Sequence, residues 1–331
     1  MRVVIAPDKF KGTLTAVEAA DAMASAVRER WPDAELFVVP MADGGDGTLD
    51  ALGGANRHDP VTGPLGRPVD VGWRLDGDLA VIESAAASGL VLAGGAQGND
   101  PWGATSRGVG ELLARALDAG ATRVVVGMGG SAMTDGGRGA IEALGDRVPF
   151  PAGRVAVLTD TTVAFVHAAR VFAPQKGADG PMVERLTARL EADAADWAHR
   201  FGCDVRETPR TGAAGGLSGA LFAAGADLVD GAAFIAEALG LAAAVAAADL
   251  VLTGEGAFDV TTQAGKGPGH VLALAAAHDV PTLVVAGVVA EDVRGPGVVS
   301  VAEVVGIRHS LRHPAEAVRL AAVTGLATVR R

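Results

Sequence analysis

The chain is 331 residues long and 49% hydrophobic, with 39 acidic residues against 28 basic ones and a net charge of -11. That length predicts two domains, and the acidic balance opposes the counterion release on which nucleic-acid binding depends. No run approaches the roughly 18 to 20 apolar residues of a membrane helix, and the chain opens on a strand-like MRVVIAP, so a cytoplasmic protein without nucleic-acid or membrane partners is expected.

In chain order, the β-branched run at 3–7 predicts a buried strand. Thr15 to Glu18 forms a capping box opening a helix that ends near Trp31, before Pro32, with Val17, Ala20, Ala24 and Val27 on one face. A second strand is expected at 35–40. The Pro/Gly-rich VTGPLGRPVD at 61–70 is expected to carry the chain between lobes. Helices follow at 110–119, with Leu112, Leu113, Ala116 and Leu117 before a C-cap at Gly120, and at 181–200, with Leu186, Leu190 and Trp197. The Ala-rich 242–248 predicts a helix near a second crossing, and strands are expected at 250–253, 282–286 and 298–305. Uninterrupted β-branched strands alternating with Ala-rich helices give an α/β fold with parallel winding. The expected organisation is a discontinuous α/β domain, 1–70 plus 245–331, with a second α/β domain, 71–244, inserted in it. Cys203 stands alone, which excludes an intrachain disulfide and a cysteine-based zinc site and predicts a buried small hydrophobe.

Four strand ends are built alike: VVIAPDKFKG, VVPMADGGDG, VVVGMGGSAMTDGG and LVLTGEGAFD each run from apolar residues into glycine and a carboxylate. Glycine lets bare backbone approach a ligand, and a carboxylate there can hold a metal ion or accept a proton. Asp8-Lys9-Phe10-Lys11-Gly12 places two ammonium groups before a helix start, which suits phosphate or carboxylate; a solvated charged turn is the alternative. In Asp43-Gly44-Gly45-Asp46-Gly47-Thr48, carboxylates three apart suit Mg²⁺ while amides contact phosphate, or the segment is a tight turn with Asp46 or Thr48 capping the next helix.

Gly127-Met128-Gly129-Gly130-Ser131-Ala132 fits GxGxxA and raises an NAD-dependent oxidoreductase, but Asp146 in GDRVPFP does not convincingly supply the acidic residue a dinucleotide fold requires. A phosphate loop fits better, with Ser131 and Thr134 donating and Asp135 near a metal; a helix-capping turn is the plainer alternative. Gly254-Glu255-Gly256 with Asp259, then Gly265-Lys266-Gly267, is not a Walker A sequence. Glu255 and Asp259 suit metal or base roles and Lys266 a phosphate contact, against ordinary turn residues. Glu83-Ser84, Thr105-Ser106 and Lys176 are polar positions near element ends. No histidine pair has metal-ligand spacing and no GxSxG elbow occurs.

Taken together, APDKFKGTLTAVEAA, PMADGGDGT, VTGPLGRP, ESAAASGL, TSRGVGELL, GMGGSAMTDGGRGAIEALG, FAPQKGAD, TGAAGGLSGAL and TGEGAFDVTTQAGKGP resemble, in order and across most of the chain, the bacterial glycerate kinase family of the first type. The resemblance implies transfer of the ATP γ-phosphoryl group to D-glycerate at the 2-hydroxyl, giving 2-phosphoglycerate, with Mg²⁺ as cofactor. It also implies two α/β domains, one flavodoxin-like and one restriction-endonuclease-like, the second inserted in the first. On that resemblance Asp8, Lys9, Lys11 and Asp43 form the catalytic group, the lysines meeting phosphoryl or carboxylate oxygens and Asp8 or Asp43 orienting the acceptor hydroxyl. Gly44, Gly45, Gly129, Gly130, Ser131, Thr134, Lys176 and Lys266 are expected against substrate or phosphate, and Asp46, Asp135, Glu255 and Asp259 at the metal. The segment between Gly145 and Asp160 is shorter than the family's, and Asp160-Thr161-Thr162-Val163-Ala164-Phe165 replaces an Asp-x-x-Asn-Pro-Leu type segment, so a substrate-side loop is expected to differ. A kinase of another small hydroxy acid and a non-catalytic metabolite-binding paralogue are the alternative functions. The sequence leaves oligomeric state open, with a homodimer as one candidate.

Overall fold

The computed structural model describes residues 1–10, 12–263, 267–295 and 297–329. The chain divides into two compact units, Met1–Asp43 with Ala232–Arg331, and Gly44–Gly231. The crossings lie at Asp43/Gly44 and Gly231/Ala232, which corrects the boundaries expected near 70 and 245. VTGPLGRPVD is not a linker: it turns an antiparallel hairpin in which Gly63 N donates to Arg67 O.

The first unit begins with strands β1 (Arg2–Ile5) and β2 (Glu35–Val38). The second contributes β3 (Arg57–Thr62), β4 (Pro68–Asp76), β5 (Leu79–Glu83), β6 (Arg123–Gly127), β7 (Val155–Thr159) and β8 (Asp227–Asp230). The chain then returns to the first unit for β9 (Leu250–Thr253), β10 (Ala257–Phe258), β11 (Thr282–Ala286), β12 (Val288–Val289) and β13 (Val298–Ser300).

In the first unit the main sheet runs β13-β11-β9-β1-β2, all parallel. Both faces of β1 and β9 are covered, which is why Val3 to Ile5 and Leu250 to Thr253 need no polar alternation. The capping box opens the helix Ala16–Arg30 as its residues predict: Glu18 N donates to Thr15 Oγ1 and Thr15 N to Glu18 Oε2, an arrangement worth about 1 kcal/mol. That helix buries Met23 and Val27 with Ile5, Leu252, Val285 and Val318, each contributing about 1.5 to 3 kcal/mol through burial. The expected strand at 298–305 stops at Ser300, and Val301–Val305 is helical. Its partner β11 ends opposite Ser300 at Ala286, so the later β-branched residues have no strand to pair with. Successive connections leave β1 toward β2 on one side and run from β9 toward β11 on the other. A sheet wound this way presents its ligand crevice at the carboxyl ends of the two strands where the winding reverses, here β1 and β9.

The second unit holds a six-stranded sheet in the order β3 to β8. Its β5 to β8 are parallel, but β3, β4 and β5 are antiparallel neighbours, so parallel winding describes only part of it. The helices Arg107–Asp118 and Gly180–Phe201 bury Leu112, Leu113, Leu190 and Trp197 in a core shared with Trp73 and Phe165. No helix of the described residues is long and apolar enough to cross a membrane.

Candidate active site

Beyond Ile5 the backbone of β1 stays against its neighbours. Ala6 N and Asp8 N donate to Leu252 O and Gly254 O, both at 2.8 Å, while Val39 N and Met41 N donate to Ile5 O and Pro7 O, also at 2.8 Å. Thr253 Oγ1 closes on Ala6 O at 2.7 Å. Gly254 must lack a side chain here, because an added Cβ would collide with Val285 O on β11. These bonds fix the Asp8 backbone at the reversal of the sheet.

The Asp8 side chain is 6% exposed and lies against Gly267, the first residue of the helix Gly267–Ala277. Burial, then the nearby charge of Asp43 and to a lesser degree Glu255, raise its pKa to about 7; the Lys9 amide and ammonium oppose this. Lys9 N donates to Asp8 Oδ1 at 2.6 Å. Lys9 Nζ lies 3.4 Å from Asp43 Oδ1, each side chain about a quarter exposed. An ion pair that open is worth at most about 1 kcal/mol, so the pairing places charge more than it stabilises the fold. Lys11 and Lys266 lie outside the described residues. Asp259 faces its own turn: its Oδ1 accepts from Thr262 N at 3.2 Å, and Thr262 Oγ1 accepts from Asp259 N at 3.4 Å.

In the second unit the loops Gly44–Thr48 and Gly129–Ser131 press together. A Cβ on Gly129 would fall 2.7 Å from Gly45 Cα, and one on Gly130, whose φ is +57°, 2.8 Å from Asp46 Oδ1. Gly44 is confined by Leu158 and Gly231. The expected cap by Asp46 or Thr48 does not form. Gly47 is the N-cap residue of the short helix Thr48–Ala51, and Glu83 Oε1 at the end of β5 accepts from Gly47 N at 2.9 Å and Leu49 N at 2.8 Å. Thr48 Oγ1 instead turns back to Gly45 O at 2.8 Å. Burial raises the Glu83 pKa, the Leu49 amide bond opposes this, and Asp46 adds to it. Sequence reading noted Glu83 only as a polar position. It is followed by Ser84 and three alanines and not by glycine, so the repeated strand-to-glycine pattern passes over it.

The GMGGSA segment does not open a helix, because helical structure resumes only at Arg138. That removes the dinucleotide reading, which needs the pyrophosphate on a helix N-terminus directly after the glycines. Asp135 is held by its own surroundings: Ser106 N and Oγ both donate to Oδ2 at 2.8 Å, and Gly137 N donates to Oδ1 at 3.2 Å. Lys176 is 3% exposed and donates through Nζ to Ser131 Oγ at 3.0 Å and Met133 O at 2.6 Å. Burial lowers its pKa to about 7, with Asp135 opposing. Thr134 Oγ1 and Ser88 Oγ are buried and have no hydrogen-bond partner among the described residues. Arg189 donates to Thr134 O, and Trp197 Nε1 to Gly136 O at 3.1 Å, which anchors the loop from behind. A buried lysine nitrogen, buried hydroxyls and glycine backbone make a setting for anionic oxygens.

Among the described residues no three Asp, Glu, His or Cys side chains gather into a site that could hold a metal ion. Asp43 and Glu255 are nonetheless hard oxygen donors whose fields both act on Asp8. Mg²⁺ fits such a setting, since it is usually held by one or two carboxylates and completes its shell with water and phosphate oxygens.

A sequence profile described as the glycerate kinase family matches residues 3–158 and 151–329. The two stretches overlap within the segment that departs from the expected pattern. The chain is 39% identical over 331 residues to the glycerate 2-kinase of Escherichia coli K12, covering 88% of this chain and 87% of that protein. It is 40% identical over 332 residues to a glycerate kinase of Bacillus subtilis 168, covering 88% and 86%. A crystal structure of a Salmonella typhimurium LT2 protein designated glycerate kinase 2 superposes with a TM-score of 0.82 at 36% identity, covering 99% of this chain and 98% of that one.

Proposed function

The chain belongs to the bacterial glycerate kinase family, of the first, 2-kinase-like type, and from that membership we propose that it transfers the γ-phosphoryl group of ATP to the 2-hydroxyl of D-glycerate, giving 2-phosphoglycerate and ADP. It is an enzyme of the small-molecule kinase class. The observation that supports the assignment of roles is Asp8: a buried carboxyl at the sheet's reversal, ionising near neutrality beside an ammonium group. A general base works best with a pKa near the working pH.

Asp8 accepts the proton of the 2-hydroxyl as its oxygen bonds to the γ-phosphorus and the bond from that phosphorus to the bridging oxygen of ADP breaks. Lys9 offsets charge on the transferring oxygens, and Asp43 keeps its ammonium in place. Asp43 and Glu255 would hold Mg²⁺, which neutralises β- and γ-phosphate oxygens when bound. In the second unit Gly129, Gly130 and Ser131, with Lys176 hydrogen-bonded to Ser131, offer a setting for anionic oxygens. Asp46, Asp135 and Asp259 act by shaping their loops, as their contacts with Gly130, Ser106 and Thr262 support.

The strand order of the first unit supports a flavodoxin-like domain, since it reproduces the 2-1-3-4-5 arrangement. We read the mixed sheet of the second as restriction-endonuclease-like. Purified protein given MgATP and D-glycerate should form ADP and 2-phosphoglycerate in equal amounts, resolved from the 3-isomer by chromatography. No turnover across a panel of small hydroxy acids would overturn the proposal.

A further inference from the structure

The first unit contains a cavity of about 160 Å³ that the roles above leave unused. It is lined by Phe10 from the loop after β1, Gly256 and Gly287 from the loops after β9 and β11, and Val288, Ile307 and Leu311. Phe10 follows Lys9 in the chain and Gly256 follows Glu255, so the cavity adjoins the group assigned to phosphoryl transfer. Its backbone wall is fixed: Gly287 N donates to Glu255 O at 2.9 Å, Val288 N to Gly256 O at 3.0 Å, and a Cβ at Gly287 would collide with Gly256 O. No charged side chain lines it among the described residues. Val288, Ile307 and Leu311 are 47%, 62% and 63% exposed, which leaves large apolar side chains facing water at its edge.

We propose that this cavity is the adenine subsite, an inference that rests on the kinase reading. Glycerate bears an oxygen on every carbon and the triphosphate is a polyanion, so of the groups the enzyme must hold only the planar base gains from apolar burial. The volume agrees, being well under the roughly 300 Å³ at which pockets for whole drug-sized ligands begin. The polar lining also chooses among bases. Thr13 and Ser310 both line the cavity, and both commit their hydroxyl protons to backbone, to Phe10 O at 2.8 Å and Ile307 O at 2.9 Å. Their oxygens are left as acceptors, which suits the 6-amino group of adenine and not the 6-oxo group of guanine.

The test is calorimetric binding of ADP, GDP and magnesium tripolyphosphate to wild type and to Ile307→Glu and Leu311→Glu, both at exposed positions, with folding verified by circular dichroism. The expected result is ADP binding about tenfold weaker in each variant, tripolyphosphate binding unchanged, and wild type preferring ADP to GDP. Photolabelling of wild type with 8-azido-ATP gives a second readout and should mark peptides spanning 301–318 or 256–258. Unchanged ADP binding in the folded variants, or label confined to other peptides, overturns the subsite while ATP-dependent turnover of glycerate keeps the kinase reading. A wild type that neither binds ADP nor turns over ATP overturns both.

Discussion

Lys176 Nζ donates to Ser131 Oγ across 3.0 Å, and both side chains are buried beneath a glycine loop. Burial holds the Lys176 pKa near 7, well below its value in an unfolded chain. Between about pH 7 and pH 10.5 the unfolded chain therefore binds a proton that the native chain does not, so this residue makes stability rise with pH, by up to about 1.4 kcal/mol per unit. Chemical denaturation across that window should show the rise in wild type, and Lys176→Met should lose it. Parallel pH dependences in the two proteins would contradict a buried, near-neutral amine.

Asp8 has the opposite sign. Its native pKa near 7 exceeds the unfolded value of 3.8, so the native state retains a proton that the unfolded state has shed, and stability falls as pH rises through that interval. As the proposed base, Asp8 must be ionised, so kcat/KM should fall on the acid side of its pKa in wild type. Asp8→Asn should lose that limb, lower kcat by about 10²- to 10⁴-fold, and be no less stable than wild type at pH 7.

Lys9→Arg should not substitute for lysine. The compact ammonium sits 3.4 Å from Asp43 Oδ1, whereas a planar guanidinium presents its charge over a broader fork on a different stem. Steady-state assays should find Lys9→Arg nearly as impaired as Lys9→Ala, both mainly in kcat and both with unchanged thermal unfolding.

Glu83→Ala should cost about 1 to 3 kcal/mol, because Gly47 N and Leu49 N lose their shared acceptor while partly buried. Glu83→Gln retains a carbonyl oxygen at the same place and should recover most of that loss. Denaturant midpoints of the two variants, read beside their KM values for glycerate, separate loop support from a direct part in chemistry.

The first unit's sheet was legible because a strand covered on both faces must be apolar throughout, and 3–7, 250–253 and 282–286 have no other reason to be so. The 61–70 segment was not, since proline and glycine announce a change of direction without saying whether the next strand pairs with the last. The candidate site drew attention through its lysines. The chain has only four lysines, Lys9, Lys11, Lys176 and Lys266, arginine serving elsewhere, and each has a glycine within three positions of it in the sequence. Glu83 and Ser106 showed only as polar positions because their roles come from bonds to residues 36 and 29 positions away, which no local spacing encodes.

Gly254 carries no reactive group, yet its carbonyl holds the Asp8 amide while its bare α-carbon admits the carbonyl of Val285. Any side chain there, alanine included, must push β9 from β11 and drag the Asp8 backbone with it. The spacing of two strands and the aim of one carboxyl are thus a single mechanical variable, and a substitution scan scored for turnover should find this silent position as intolerant as Asp8 itself.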